Sequence, residues 1–184
     1  TISFGMQDDP NRIGYEWAAH SIYPKRADKQ FFRTTVGNEQ CLQPYSASIY
    51  NISAMSYGAL SKTAISSLNK GAQLGGFAHN TGEGGISNFH LEGGDLIWQI
   101  GTGYFGCRND DGTFSEQLYA EKTSFPQVKM IELKLSQGAK PGHGGLLPGE
   151  KNTPEIAKIR NIQPHIAVHS PAGHTAFSNG VELL

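Results

Sequence analysis

Two glycine-rich segments, NTGEGG at residues 80–85 and GAKPGHGG at residues 138–145, are the features that most restrict the fold of this chain. Each follows a short segment that has the length and composition of a buried strand. Glycine doublets in such places favour positive φ angles or a close approach of the backbone to a ligand. Because ligands of parallel α/β folds bind at the carboxyl ends of the strands, the two loops predict an α/β enzyme in which both face a ligand.

The charge and the cysteine content argue against several classes of function. The 184 residues include 15 basic and 16 acidic side chains, so the net charge of −1 provides no footprint for nucleic acid or an anionic membrane surface. No apolar run reaches the roughly 18 residues of a membrane-spanning helix. Cys41 and Cys107 form no C-x-x-C pair, so we expect neither a metal site nor an iron–sulfur cluster within this chain. Two isolated cysteines favour a reducing compartment, and we predict a cytoplasmic location.

The hydrophobic pattern predicts alternating strands and helices after a polar, irregular approach segment. Residues 46–55 are expected to form a buried strand, and Ser56 is expected to cap a helix over 60–74, whose apolar residues recur at helical spacing. A strand over 77–79 then enters the first glycine loop, and this strand–helix–strand unit favours a parallel sheet. Further elements are predicted as strands at 96–100, 128–135 and 166–168, a turn at 109–112, and helices at 114–122 and 154–160.

The strand over 128–135 carries polar and apolar side chains in alternation. Glu132, Lys134 and Ser136 face one way on a strand, and the leucines and the isoleucine between them face the other. One interpretation is an exposed edge strand. The other is the interior of a barrel, where the polar face carries a lysine and Gln137 to a ligand. A lysine beside the N1–C2=O edge of a reduced flavin would stabilise the negative charge there.

Two further patterns are weaker. GTGYFG at 101–106 fits the G-x-G-x-x-G pattern of dinucleotide sites, but a turn is expected after it where such a site requires a helix. His165 and His169 are four residues apart, yet the residues between them predict a strand and no suitably spaced carboxylate accompanies them. We therefore predict a glycine-rich turn and no metal site, while His169 and His174 could line a pocket because they follow a strand.

Four motifs, taken in order, resemble the FMN-binding domain of the glutamate synthase family. They are SAMSYGALS at 53–61, NTGEGG at 80–85, QGAKPG at 137–142, and LPG at 147–149 followed by TPEIA at 153–157. The resemblance implies that residues 46–184 form an incomplete N-terminal portion of a (β/α)8 TIM-type barrel, preceded by the approach segment 1–45. It also implies an FMN-dependent reduction of 2-iminoglutarate, formed from 2-oxoglutarate and ammonia, to L-glutamate by hydride transfer from reduced FMN.

The resemblance assigns expected roles to single residues. Those implied to contact the flavin are Met55, Ser56, Lys134 and Gln137. Those implied to face the 2-oxo acid are Lys140, His143 and Arg160, with Glu83 and Lys140 as the catalytic groups. These roles are chemically sensible, because a dicarboxylate needs cations and a glutamate could deliver a proton to the imine or orient it.

The second glycine loop departs from the family pattern Lys-Pro-Gly-Glu-Gly-Gly-Gln at two positions. His143 replaces the glutamate and Leu146 replaces the glutamine. Leucine cannot hydrogen-bond a keto acid, so an alternative is an FMN oxidoreductase that acts on a different small acid or imine. The pattern with His143 resembles the stand-alone glutamate-synthase-like branch, which lacks the fused glutaminase domain. The electron donor is left open.

The length of the chain suggests part of a barrel. A complete barrel of this kind needs about 250 residues, so the phosphate-binding loops and iron–sulfur cysteines of the family are expected beyond Leu184. We predict that the isolated chain binds FMN poorly, which could leave it inactive. An open sheet edge favours association into a homo-oligomer. A truncated, non-catalytic module is the third alternative.

Overall fold

The computed structural model describes residues 11–16, 19–26, 32–138 and 142–183. Its contacts divide the chain into two compact units, Thr1–Phe31 and Phe32–Leu184. In the first unit the amide of Tyr15 donates to the carbonyl of Arg12 at 3.1 Å, which closes a turn. The boundary that we predict between residues 45 and 46 stays a prediction.

The second unit contains seven strands and four α-helices among its described residues. The strands are β1 Arg33–Val36, β2 Tyr45–Ser48, β3 Ala78–Asn80, β4 Asp95–Ile100, β5 Val128–Leu133, β6 Leu146–Leu147 and β7 Val168–His169. The helices are α1 Lys62–Gly75, α2 Glu116–Thr123, α3 Pro154–Arg160 and α4 Gly180–Leu183. None of the helices in these described ranges is long and apolar enough to cross a membrane.

The first two strands form an antiparallel hairpin, which differs from the predicted arrangement. β1 lies within the segment that we expected to be irregular, and β2 covers only the start of the strand predicted over 46–55. The strand ends because Ser48 starts a turn: its hydroxyl accepts from the amide of Tyr50 at 3.1 Å, and its carbonyl accepts from the side chain of Asn51 at 2.8 Å. Ile52 then makes an isolated parallel bridge to His79.

Helix α1 connects the hairpin to the parallel sheet. Its N-cap is Ser61, whose hydroxyl accepts from the amide of Ala64 at 3.3 Å, and its C-cap is Gly76, which has a φ of 66°. The predicted cap, Ser56, is wrong, because the carbonyl of Ser56 instead closes a turn with the amide of Leu60 before the helix begins. The buried side chain of Asn69 joins the helix to the loop before β4.

The central sheet is parallel, with the strand order β3–β4–β5. This confirms the strands predicted near 77–79, 96–100 and 128–135 and their parallel arrangement. The ladder between β4 and β5 contains a register shift, because Leu96 faces Val128 whereas Ile97 faces Met130. Lys129 is thus an extra residue in β5. The chain is a mixed α/β structure built on this parallel sheet, and the barrel closure stays a prediction.

The two faces of the sheet have opposite character. One face forms the core with Leu96, Trp98 and Ile100, and the ring of Trp98 stacks on Tyr119 of α2 at 5.8 Å. On the other face, polar side chains of the three strands converge on Glu132. Oε1 of Glu132 accepts from the side chain of Asn80 at 3.0 Å and from that of Gln99.

The remaining elements follow the second glycine loop. Helix α3 begins after Thr153, whose hydroxyl accepts from the amide of Ile156 at 3.3 Å, and the predicted helix through Arg160 is confirmed. β6 and β7 pair antiparallel. The strand predicted at 166–168 is shorter than expected, because β7 begins only at Val168. The segment after β7 returns to the loop that follows β4, where the hydroxyl of Thr102 donates to the carbonyl of Pro171 at 2.6 Å.

Candidate active site at the ends of the parallel strands

Three of the predicted site residues form one hydrogen-bonded cluster, which we call the Glu83 cluster: Glu83, Lys134 and Gln137. The amide nitrogen of Gln137 donates to the two carboxylate oxygens of Glu83 at 2.9 and 3.1 Å. The ammonium of Lys134 donates to Oε1 of Gln137 at 3.1 Å and lies 3.5 Å from Oε2 of Glu83. About a quarter of the Glu83 and Lys134 side chains is exposed, at 26% and 27%.

The position of this cluster follows from the parallel sheet. Glu83 lies three residues beyond β3, and Lys134 comes directly after β5. The carboxyl ends of parallel strands lie at the same edge of the sheet, so a glycine loop and a strand end that are about 50 residues apart meet there. Among the described strands β5 lies at an edge of this sheet, as one interpretation of its alternating pattern predicts, but Glu132 and Lys134 on its polar side are paired.

Glycines at two positions make room for the carboxylate of Glu83. A Cβ on Gly101 would overlap with Oε2 of Glu83 and would lie 3.0 Å from its Cβ. A Cβ on Gly145 would lie 3.2 Å from Oε1 of Glu83. Gly145 belongs to the second glycine loop, so the two loops that the sequence singles out approach each other at this carboxylate.

Met55 and Ser56 lie alongside the first glycine loop. The amide of Met55 donates to the carbonyl of Asn80 at 3.1 Å, and a Cβ on Gly82 would lie 2.9 Å from the amide nitrogen of Ser56. The carbonyl of Met55 lies 3.0 Å from Nε2 of His90. Burial lowers the pKa of His90, and its Nδ1 accepts from the amide of Ser87 at 3.1 Å, so the proton on Nε2 is donated to Met55.

Arg160 is buried beneath the same loop. Its guanidinium donates to the carbonyl of Tyr57 at 3.3 Å and lies 5.0 Å above the ring of Phe105. A Cβ on Gly84 would approach the guanidinium within 3.0 Å. Burial lowers the pKa of Arg160, and the negative charge of Glu83 opposes that change. Its Nε is buried and has no hydrogen-bond partner in the described part of the chain. The predicted contact of Arg160 with substrate stays a prediction.

The predicted residues of the second loop are only partly described. Lys140 lies in the range 139–141, outside the described residues. His143 is exposed, and Leu146, at the start of β6, has 53% of its surface exposed. Residues 142–145 reach the segment after β7, because a Cβ on Gly144 would lie 2.5 Å from the carbonyl carbon of Ser170.

A family comparison matches most of the chain. The sequence profile described as "Conserved region in glutamate synthase" covers residues 24–184. The chain belongs to the glutamate synthase family. This confirms the resemblance that the four motifs indicate.

Named relatives within the glutamate synthase family cover different shares of the chain. The glutamate synthase large subunit-like protein YerD of Bacillus subtilis is 45% identical over 152 residues, which are 81% of this chain and 29% of that protein. The archaeal glutamate synthase [NADPH] of Methanocaldococcus jannaschii is 35% identical over 166 residues, which are 90% of this chain and 29% of that protein. The chain thus spans less than a third of the length of these relatives.

Near the Glu83 cluster of this glutamate synthase family member lies Tyr104, a residue to which the sequence assigns no role. Tyr104 is buried, and its hydroxyl lies 3.1 Å from Nδ1 of His174. His174 lines a cavity of about 570 Å³ beside β5, as the sequence suggests, whereas His169 lies exposed on β7. The pattern GTGYFG contains Tyr104 and forms the predicted turn, but only its glycines and not its tyrosine attract attention in the sequence.

Proposed function

We propose that this chain carries the flavin-facing and substrate-facing part of an FMN oxidoreductase of the glutamate synthase type. The reaction proposed is the reduction of 2-iminoglutarate, formed from 2-oxoglutarate and ammonia, to L-glutamate. The observation that carries the proposal is the Glu83 cluster, which combines a carboxylate, an ammonium and an amide at the carboxyl ends of parallel strands. Such an edge is where α/β folds hold their ligands.

The donors of the cluster fit the pyrimidine edge of a flavin. That edge presents carbonyl oxygens and ring nitrogens, and the ammonium of Lys134 and the amide of Gln137 are the groups that would hold it. Gly101 and Gly145 keep the space beside the carboxylate free of side chains. Met55 and Ser56 would supply backbone or hydroxyl contacts from the neighbouring segment. When bound, reduced FMN supplies the hydride and the positive charge of a nearby lysine stabilises the flavin anion.

The residues of this chain would then divide the remaining work. Glu83 would orient the imine nitrogen or hold a proton for it, and its hydrogen bonds to Gln137 keep its carboxylate turned toward the strand ends. Lys140 and Arg160 would face the carboxylates of the 2-oxo acid. The Nε of Arg160 is buried and has no hydrogen-bond partner among the described residues.

A second candidate function has a specific observation in its favour. Leu146 stands where the family pattern has a glutamine, and its side chain is half exposed in β6. A leucine there offers an apolar surface and no hydrogen bond to a keto acid. The alternative is therefore an FMN oxidoreductase that acts on another small acid or imine.

The test uses the complete gene product, purified without added flavin. A flavin absorption spectrum, together with formation of 15N-labelled L-glutamate from 2-oxoglutarate, 15N-ammonium and reduced flavin, would support the first function. Flavin without glutamate would favour the second, and the absence of both would refute the proposal. We expect Lys134→Met to weaken FMN binding about 30-fold, because a hydrogen bond to a charged group contributes about 2 kcal/mol. His169→Gln is the matched control, since His169 is exposed and lies outside the cluster.

A further inference from the structure

The segment after β7 is anchored by one buried tyrosine, Tyr104. The hydroxyl of Tyr104 accepts from the backbone amides of Thr175 and Ala176 at 3.0 and 3.1 Å. It also lies 3.1 Å from Nδ1 of His174. Tyr104 has only 2% of its surface exposed and a φ of 51°, which is unusual for a residue other than glycine. A strained, buried residue with three polar contacts holds this segment in place.

The protons available to Tyr104 and His174 determine the direction of each of their hydrogen bonds. A tyrosine hydroxyl has one proton and two lone pairs, and the two amides occupy both lone pairs. Its proton is therefore donated to Nδ1 of His174. The proton of the neutral imidazole is then on Nε2, which lies 3.0 Å from the carbonyl oxygen of Lys134 and donates to it. Every polar atom of this chain of hydrogen bonds has a partner.

The carbonyl of Lys134 is the point where the strand becomes a turn. The amide of Lys134 still continues the ladder, since it donates to the carbonyl of Ile100 at 2.9 Å. After the next peptide group the chain bends, and three residues later Gln137 returns to the Lys134 ammonium. The peptide group between Lys134 and Leu135 therefore lies at the start of the short turn that connects the two donors of the Glu83 cluster.

We propose that His174 is a positioning residue for this site. By donating to the carbonyl of Lys134, and with its tautomer set by Tyr104, it holds the Lys134 ammonium and Gln137 on Glu83. The connection to flavin binding rests on the proposed function, whereas the effect on the side chain of Lys134 does not. His174 has no contact with the Glu83 carboxylate among the described hydrogen bonds, so it acts through the backbone.

Two amide variants separate the two sides of the imidazole. In His174→Asn the amide oxygen takes the place of Nδ1 and can still accept from Tyr104, but nothing reaches Lys134. In His174→Gln the longer side chain places an amide N–H near the position of Nε2 and can donate to Lys134. The first variant should fold and lose the positioning, and the second should restore it. A purely structural role for His174 would not produce this order.

NMR of the 15N,13C-labelled chain tests the inference without any ligand. The two protons on the carbon next to the Lys134 ammonium give two separate signals when the side chain is held in one conformation, and one common signal when it rotates freely. The signals of Lys134 are assigned by their loss in the variant Lys134→Arg. We expect separate signals in the wild type and in His174→Gln, and merged signals in His174→Asn. Merged signals in the wild type, or separate signals in His174→Asn, would overturn the inference.

A second measurement extends the test to the proposed function. FMN titration of the complete gene product should show binding about tenfold weaker in His174→Asn, the loss expected for one hydrogen bond, and within about threefold of wild type in His174→Gln. His169→Gln, in β7, should match the wild type. If the wild type binds no FMN but the NMR order holds, the proposed function fails and the positioning role stands. If FMN binds equally well to all variants, the positioning role is wrong.

Discussion

The substitution Gly101→Ala tests whether the carboxylate of Glu83 is held as tightly as its contacts indicate. The φ of Gly101 is not in the left-handed region, so alanine fits the backbone. The added Cβ would instead overlap with Oε2 of Glu83. Because that oxygen belongs to the end of a flexible side chain, we expect the carboxylate to move and the backbone to stay.

The size of the effect follows from the bonds that this movement breaks. Gln137 would lose its hydrogen bonds to Glu83 at 2.9 and 3.1 Å, and the ammonium of Lys134 would lose an ion pair at 3.5 Å. A hydrogen bond to a charged group contributes about 1.5–3 kcal/mol, and the partial exposure of the cluster lets water replace part of it. We therefore expect Gly101→Ala to lower the free energy of unfolding by about 2 kcal/mol.

Urea denaturation of a double-mutant cycle measures this term. In a Glu83→Ala background the carboxylate is gone, and only the approach to Cβ at 3.0 Å remains, so Gly101→Ala should cost much less there. Gly138→Ala is the matched control, because no atom of the described residues beyond its chain neighbours lies within 4 Å of a Cβ at that position. Equal costs of Gly101→Ala in the two backgrounds, within about 0.5 kcal/mol, would refute the reasoning.

Three further predictions concern the frame around the site. Asn69→Ala should lower the free energy of unfolding by about 3 kcal/mol, measured by urea denaturation, because Oδ1 of Asn69 accepts two backbone amides, each at 3.0 Å; a loss below about 1 kcal/mol would contradict this. Gly144→Ala should speed hydrogen exchange at the amide of Ser170 through its contact with that backbone, and unchanged exchange would count against it. Burial and the nearby His90 lower the pKa of His79 to about 4 from 6.5, so the unfolded chain binds more protons between these values. Stability should therefore fall by about 3 kcal/mol on acidification through this window, and an equally steep fall in His79→Leu would be inconsistent with that assignment.

The helix and strands of the parallel sheet are predicted well, because their signals are residue patterns within a few positions of the chain. The apolar face of α1 recurs at helical spacing, and the short runs at β3 and β4 are too brief for helices, so periodicity identifies them. Capping is harder, because Ser56 and Ser61 both precede the helix and either could accept an amide. In the structure the carbonyl of Ser56 closes a turn with Leu60, and this leaves Ser61 as the N-cap.

The hairpin shows how a side chain can override strand propensity. Residues 46–55 read as one strand, but the hydroxyl and carbonyl of Ser48 form a turn that ends β2. This competition between side chain and ladder depends on a rotamer, which composition does not reveal.

The site is predicted in part, and the missing part lies at long range. The alternation along the strand identifies Lys134 and Gln137 as ligand-facing residues, and the motif resemblance adds Glu83. Tyr104 and His174 are 70 residues apart in sequence, and no spacing rule joins them. Their relation follows from the return of the chain to the loop after β4, which is a property of the tertiary fold.

The meeting of Asn80, Gln99 and Glu132 on one face of the sheet also bears on how the chain folds. A shift of β5 by one residue would turn Glu132 toward the apolar face that holds Trp98, and would leave two amide side chains without their acceptor. We therefore expect Glu132 to disfavour pairings of β5 that are shifted by one residue, because they would bury its charge and leave Asn80 and Gln99 without this acceptor.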